Sequence, residues 1–147
     1  MSPSAAQAPA LTPGRSTPGT YPLPEGPEWK GFGAYVGLSA ACTDPRVRAL
    51  VGLGLPVSAA GRDYSYSFLS GCTQPKLFIS GDHDEFSPRA VLEPMVAATP
   101  EPRRIVWVAG ADHFFFGIPG SPAAKLDIMR TAMEEWLAAT FPELKTR

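Results

Sequence analysis

Three short apolar runs stand out in the pattern of hydrophobic and polar positions along the chain. They span residues 49–55, 77–80 and 105–108, and each is followed by a glycine or a proline. An unbroken apolar run of this length is typical of a strand that is buried on both faces of a parallel sheet. The pattern therefore predicts three parallel strands.

Helical patterns lie between and around these runs. Small residues over 34–42 predict a close-packing helix that ends near Asp44. A second helix is predicted over residues 88–98, and Pro94 should kink or restart it. The third begins at Ser121 and Pro122, because serine is a good N-cap and proline suits the first turn.

The third helix has one apolar face that continues until Pro142. Its members recur at helical spacing: Leu126, Met129, Met133, Trp136 and Leu137. The second helix has the same kind of start, with Ser87 as its expected N-cap. Between the first two strands, residues 57–73 have no clean period and indicate a loop with at most one helical turn. The fold class is therefore α/β.

Candidate chemistry follows two of the strands. Asp82 and Asp84 come after Gly81 at the end of the second run, and His113 comes after Gly110 at the end of the third. Ligands bind at the carboxyl ends of strands in open parallel sheets, which makes these side chains candidates for an active site. Two structural alternatives stay open: the aspartates could cap the turn and the next helix, and His113 could dock among the phenylalanines that follow it.

Composition divides the chain into two parts. Residues 1–28 hold seven of the seventeen prolines, with few large apolar side chains, and we expect a disordered tail there. Residues 29–147 have the composition of one globular domain. Because the net charge is −1 without a basic block, the chain gives nucleic acid and anionic membranes no electrostatic attraction.

Neither a membrane span nor a signal peptide is visible in the sequence. The two cysteines, Cys42 and Cys72, lack the spacing of metal ligands, so a zinc site is not expected. We expect them to be buried free thiols, which would suit a reducing cytoplasm. No cofactor motif is present either.

From residue 31 to residue 141 the chain resembles the carboxyl-terminal half of an α/β-hydrolase of the bacterial dienelactone-hydrolase type. The resemblance rests on Gly-Asp-His-Asp-Glu-Phe at 81–86, Gly-Ala-Asp-His-Phe-Phe at 110–115 and Phe-Gly-Ala-Tyr-Val-Gly-Leu at 32–38. It implies a Ser-His-Asp hydrolase in which Asp84 is the acid and His113 the base, in the chain order of that fold. It also implies that the backbone N–H of Phe32 lines the oxyanion hole, and that the substrate is a small ester or acyl compound.

The sequence departs from the family where the nucleophile should be. The resemblance places Gly31 at the position of the serine and Trp29 at that of the first elbow glycine. Proline-rich residues 22–27 cannot form the central strand before the elbow, because each proline removes a ladder donor. The earlier strands of the family fold are not found, so we expect a truncated sheet of three parallel strands with an open edge.

Three interpretations follow from the combination of family-like turns and a missing nucleophile. The chain could be a working serine hydrolase, although Ser39, Ser80, Ser87 and Cys42 are poor replacements for the nucleophile. It could be a pseudoenzyme that binds partners or associates with itself through the open edge. It could also come from a frameshifted gene whose front part was replaced by out-of-frame translation. We expect an inactive member of the family; the substrate and the oligomeric state do not follow from the sequence.

Overall fold

The computed structural model describes residues 32–59, 61–116 and 122–146. The positions of Trp29 and Gly31 and the tail expected over residues 1–28 lie outside the described residues. The described strands are β1 (Leu50–Leu53), β2 (Ser58–Ala59), β3 (Arg62–Asp63), β4 (Lys76–Gly81) and β5 (Arg103–Val108). The helices are α1 (Phe32–Thr43), α2 (Arg89–Ala97) and α3 (Pro122–Thr140), with short 3₁₀ helices over Ser67–Gly71 and Pro142–Thr146.

Three of these strands form a parallel sheet in the order β1-β4-β5. In its register Leu50 lies opposite Lys76, and Lys76 lies opposite Arg103. All six residues of β4 are buried, because this strand has a neighbour on each side and helices over both faces. The structure confirms the predicted α/β fold with three parallel strands flanked by helices.

The alternation of side chains along β4 divides the core into two layers. On one face Phe78 packs with Leu38 of α1 and Leu92 of α2. On the other face Ile79 packs with Trp136 of α3. Because α1 and α2 cover one face and α3 covers the other, the carboxyl ends of the strands are left at the rim between the layers.

The helices agree with the sequence pattern except around α2. The first helix ends at Thr43, one residue before Asp44, and the third begins at Pro122, both as predicted. The second helix continues through Pro94, so of the two predicted effects, a kink or a restart, the restart does not occur. Ser87 is not its N-cap: Pro88 holds that position without a side-chain cap bond, and the Ser87 hydroxyl is buried with no hydrogen-bond partner among the described residues.

The segment between β1 and β4 contains more structure than the sequence indicated. It holds the predicted single helical turn, over Ser67–Gly71, and also the small antiparallel hairpin β2–β3. Two residues per strand are too few to give a period in the sequence, which is why the hairpin was missed. The buried Tyr66 hydroxyl donates to the carbonyl of Pro56 at 2.9 Å, and burial raises the pKa of this tyrosine.

The two cysteines form a disulfide, so the expectation of free thiols is wrong. Cys42 lies in the last turn of α1, and Cys72 follows the 3₁₀ helix Ser67–Gly71. These two elements pack together and bring the Cα atoms of the cysteines to 5.2 Å, a normal separation for a disulfide. The sequence could not show this, because the contact depends on how a segment without a period folds back over α1.

A buried lysine begins β4 next to this disulfide. The ammonium of Lys76 donates to the carbonyl of Cys72 at 2.6 Å and to the carbonyl of Gln74 at 2.7 Å. Its side chain is buried, and desolvation, followed by the nearby charge of Arg103, lowers its pKa. The two carbonyl acceptors compensate part of the cost of burying the ammonium. Lys76 therefore ties the end of the 3₁₀ segment to the sheet.

We expect the disulfide to contribute about 3–4 kcal/mol to the free energy of unfolding. It closes a loop between residues that are 30 apart in the sequence, and such a loop restricts the unfolded chain by about that amount. The variant Cys42→Ala with Cys72→Ala should therefore unfold at clearly lower urea concentration than the unmodified chain. Reductant should lower the urea midpoint of the unmodified chain to that of the variant and leave the midpoint of the variant unchanged. If both proteins had the same midpoint with and without reductant, the prediction would be contradicted.

Candidate active site

The turns that follow β4 and β5 lie directly against each other. Gly81 ends β4, and a Cβ atom at this position would lie 2.6 Å from the carbonyl carbon of Ala111 and 2.7 Å from the carbonyl oxygen of Asp112. Only glycine permits this approach of two backbones. A backbone hydrogen bond from His83 to the carbonyl of Ala111, 3.0 Å long, holds the two turns together.

This contact brings Asp84 and His113 together at the carboxyl edge of the sheet. The Oδ2 atom of Asp84 lies 2.8 Å from Nδ1 of His113. The carboxylate is fully buried, and the imidazole is only 8 % exposed. The residues that the sequence placed at the ends of two neighbouring strands are therefore hydrogen-bonded partners.

The carboxylate fixes the tautomer of the neutral imidazole. An ionised aspartate can only accept hydrogen bonds, so the proton of neutral His113 must lie on Nδ1. The lone pair is then on Nε2, the atom that takes a proton in Ser-His-Asp chemistry. The pair has the arrangement of an acid that orients a general base.

The second oxygen of Asp84 has a structural function. Its Oδ1 atom accepts a hydrogen bond from the backbone N–H of Phe86 at 2.9 Å, which closes the turn before α2. One oxygen of Asp84 therefore closes its own turn, and the other is hydrogen-bonded to His113.

Asp82 has a structural function. Its Oδ1 accepts a hydrogen bond from the backbone N–H of Gly110 at 2.7 Å. It links the turn after β4 to the turn after β5. Asp112 acts in the same way within the second turn, since its Oδ1 accepts from the backbone N–H groups of Phe114 at 2.9 Å and Phe116 at 2.8 Å.

Aromatic rings hold the imidazole from two sides. Phe86 and Phe114 meet it edge to face, with centroids at 4.9 Å and 5.2 Å. Gly54, which follows β1 with a φ of 55°, lies below it, and a Cβ atom there would be 3.5 Å from Cε1 of His113. The sequence indicated phenylalanines around His113 but not Phe86 or Gly54. The signal for Gly54 was present, because each strand of the sheet ends at a glycine or within two residues of one.

The remaining predicted site residues lie at or beyond the border of the described chain. Phe32 is the first residue of α1, and the N–H groups of a first helical turn have no partner within the helix. Gly31, at the expected position of the nucleophile, lies outside the described residues.

Other potential nucleophiles do not reach His113. Over residues 32–59, 61–116 and 122–146, no serine, threonine or cysteine side chain makes a hydrogen bond with it. The hydroxyls of Ser80 and Ser87 are buried without partners, and Cys42 is in the disulfide. Nor do three or more histidine, cysteine, aspartate or glutamate side chains of these residues form a group that could hold a metal ion.

A groove of about 500 Å³ on the described surface is not lined by either residue of this pair. It lies between α2 and β5, and its walls include Pro94, Ala97 and Ile105. Three smaller grooves of 250 to 410 Å³ are not lined by Asp84 or His113 either. The walls of a substrate pocket at the acid–histidine pair therefore do not come from these grooves.

A family model described as "Alpha/beta hydrolase domain" matches residues 29–140 of the chain. The match covers more than half of the chain and includes both turns, the Asp84–His113 pair and α1. The chain belongs to the α/β-hydrolase family. No curated protein matches the chain.

Solved structures with the same fold include two α/β serine hydrolases. The first, a homologue from Coxiella burnetii, is 27 % identical, with a TM-score of 0.51 over 69 % of this chain and 43 % of its own. The second, from Xanthomonas campestris and without a lid, is 25 % identical, with a TM-score of 0.53 over 74 % of this chain and 44 % of its own.

The esterase domain of a Rhodothermus marinus protein shares the fold at 15 % identity, with a TM-score of 0.57. The match covers 72 % of this chain and 57 % of the esterase domain. The α/β-hydrolase chain described here therefore spans about half the length of these similar structures.

No described helix of this α/β-hydrolase is long and apolar enough to cross a membrane.

We expect Gly81→Ala to destabilise the fold by about 3 kcal/mol, because the new methyl group would overlap backbone atoms that cannot move aside. The measurement is the free energy of unfolding in urea. Gly71→Ala is the matched control, since a Cβ atom there meets nothing within 4 Å, and its effect should stay within about 0.5 kcal/mol. Equal effects of the two substitutions would show that the two turns do not touch as described.

Asp84→Asn should move the imidazole proton of His113 from Nδ1 to Nε2, because the amide offers a donor where the carboxylate offered an acceptor. Two-dimensional ¹H–¹⁵N spectra of the ring nitrogens, recorded at a pH where the imidazole is neutral, distinguish the two tautomers. Asp82→Asn removes a carboxylate two residues away that does not contact His113, and should leave the tautomer unchanged. An unchanged spectrum in the Asp84 variant would contradict the orienting role of this aspartate.

Proposed function

We propose that this chain is a member of the α/β-hydrolase family that retains the acid and the histidine of a Ser-His-Asp triad, lacks the nucleophilic serine, and is inactive as it stands. The observation that carries the proposal is the combination of a formed Asp84–His113 pair with glycine at position 31. Ancestry in ester or acyl hydrolysis is supported by the family match.

The geometry of the pair supports the ancestral chemistry. In an intact triad the histidine takes the proton of the serine hydroxyl and gives it to the leaving group, while the buried carboxylate stabilises the imidazolium. Asp84 and His113 meet the requirements of that carboxylate and that base, since they are buried and 2.8 Å apart. A third group is required, whose oxygen attacks the acyl carbon.

Position 31 cannot supply that group, because glycine has no side chain. Three of the four alternative nucleophiles are poorly placed: Ser80 and Ser87 are buried, and Cys42 is in the disulfide. Removing the serine from such a triad lowers turnover by about a million-fold. What remains is slow hydrolysis in which water attacks the acyl carbon and Nε2 of His113 accepts the water proton.

Stabilisation of the oxyanion is also incomplete in this proposal. Phe32 offers one backbone N–H at the start of α1, whereas the family uses a second donor from an early strand-to-helix loop. The loss of one such donor costs about 3–4 kcal/mol of transition-state stabilisation. The proposal therefore combines two defects that act on the same step.

The finer points of the proposal concern substrate class and location. A dienelactone-hydrolase-like ancestor would have acted on a small ester or acyl compound, using side chains alone and no cofactor. A cytoplasmic location stays a prediction. It depended on free thiols, and the two cysteines instead form a disulfide. Structural disulfides persist mainly in oxidising compartments, so this argument for the cytoplasm is lost. Origin from a frameshifted gene is tested by translating the DNA upstream of codon 29 in all three frames.

The unmodified chain should show no labelling by a fluorophosphonate probe and negligible turnover of short activated esters such as p-nitrophenyl acetate. Any residual turnover should disappear in His113→Ala. Gly31→Ser should not restore labelling, because a serine on its own lacks the supporting strand and the second oxyanion donor.

The Coxiella burnetii or Xanthomonas campestris hydrolase serves as a positive control for the probe. Stoichiometric labelling of the unmodified chain, lost in His113→Ala, would overturn the proposal and establish an active serine hydrolase.

A further inference from the structure

The two edges of the described sheet differ in how they are protected. At the β5 edge Arg103 and Arg104 place charge on the strand, and Trp107 is covered by Glu93 and Arg89. Charged side chains of this kind discourage edge-to-edge pairing. At the β1 edge Val51 and Leu53 are 38 % and 43 % exposed and carry no charge. The edge strand β1 thus lacks the charged side chains that protect edge strands, and its apolar sequence resembles that of a strand inside a sheet.

The backbone of β1 offers hydrogen bonds outward. Leu50 donates its N–H to the carbonyl of Pro75, and Gly54 donates to the carbonyl of Ile79, so the even-numbered residues face β4. In a parallel strand the intervening residues then turn their N–H and C=O groups the other way. Val51 and Leu53 accordingly present two donors and two acceptors to the open side, where no described residue pairs with them.

The surroundings of this edge are apolar and electrically neutral. A groove of about 250 Å³ between α1 and β1 has no charged residue in its lining, and Val36 of α1 is 44 % exposed. Both arginines of the segment between α1 and β1 are in ion pairs. Arg46 pairs with Asp44 at 2.7 Å, and Arg48 pairs with Glu143 at 2.9 Å.

We propose that a second copy of this chain occupies the β1 edge, with the two β1 strands paired antiparallel about a two-fold axis at Gly52. In this register Val51 of each copy lies opposite Leu53 of the other. The outward N–H and C=O groups then form four hydrogen bonds, and the two three-stranded sheets become one six-stranded sheet. The proposal does not depend on whether the Asp84–His113 pair is catalytic.

The register is self-complementary on both faces of the strand. On one face, Val51 and Leu53 of both copies form a cluster of four apolar side chains across the axis. On the other face Gly52 meets Gly52, which permits the short Cα separation of a non-hydrogen-bonded pair. A one-residue shift would bring inward-facing groups to the axis and lose these hydrogen bonds, so the register is specified.

Other occupants fit the surface less well. The chain's own residues 1–28 hold seven prolines, which lack the N–H groups that an added strand must donate. The two arginines between α1 and β1 are in ion pairs, so among the described residues they offer a charged partner no unmatched cation. A second copy brings the same uncharged groove and the same two apolar side chains, Val51 and Leu53. In a two-fold dimer the same surface of each copy forms the interface.

The test is the oligomeric state of the full chain, measured by sedimentation velocity over a range of concentrations. The unmodified chain should sediment as a dimer. Val51→Lys should raise the dimer dissociation constant by about tenfold or more, because it places two ammonium groups across the axis. Val91→Lys is the control: Val91 is 49 % exposed on α2, away from β1, and its variant should remain dimeric.

Circular dichroism checks that each variant is folded. If Val51→Lys does not fold, Leu53→Thr introduces a β-branched residue that suits a strand, removes apolar contact, and should also weaken the dimer. A monomeric unmodified chain overturns the proposal, and deletion of residues 1–28 then shows whether the tail had covered the edge. A dimer that none of the β1 substitutions weakens overturns it as well.

Discussion

The contact between the turns after β4 and β5 is the constraint on which the candidate site depends. Gly81 lies against the backbone of Ala111 and Asp112 so closely that no side chain fits between them. This approach places a carboxylate at the end of one strand within hydrogen-bond distance of an imidazole at the end of the next. Asp82 adds a bond to Gly110, so that the two turns behave as one unit. The geometry of the pair is thus determined by backbone packing more than by the two side chains themselves.

The sequence predicted this part of the fold well because its signals are local. Apolar runs followed by glycines determined the three strands, and the order of Asp84 before His113 indicated the edge at which they meet. Pro122 determined the start of α3. Each of these inferences depends on residues within one element or one turn, where the pattern of side chains restricts the backbone directly.

Features that depend on contacts between distant segments were missed or misjudged. The disulfide requires Cys72 to return over the end of α1, and nothing in residues 57–73 indicates that path. Phe86 supports His113 through a ring contact across 27 residues of sequence. Ser87 had the sequence of an N-cap, yet its hydroxyl is buried and the helix begins one residue later. In these cases tertiary packing overrode, or added to, what the local sequence indicated.

A formed acid–histidine pair is by itself no measure of catalytic activity in this chain. One oxygen of Asp84 orients His113, but the other closes the turn before α2 through the N–H of Phe86. Removing the imidazole would leave a fully buried carboxylate oxygen without its partner, which is costly because an unpaired buried charge is poorly solvated. The pair therefore stabilises the fold whether or not a nucleophile stands beside it. For this reason the proposal of an inactive protein and the observation of an intact pair are physically compatible, and activity depends on what lies next to Nε2 of His113.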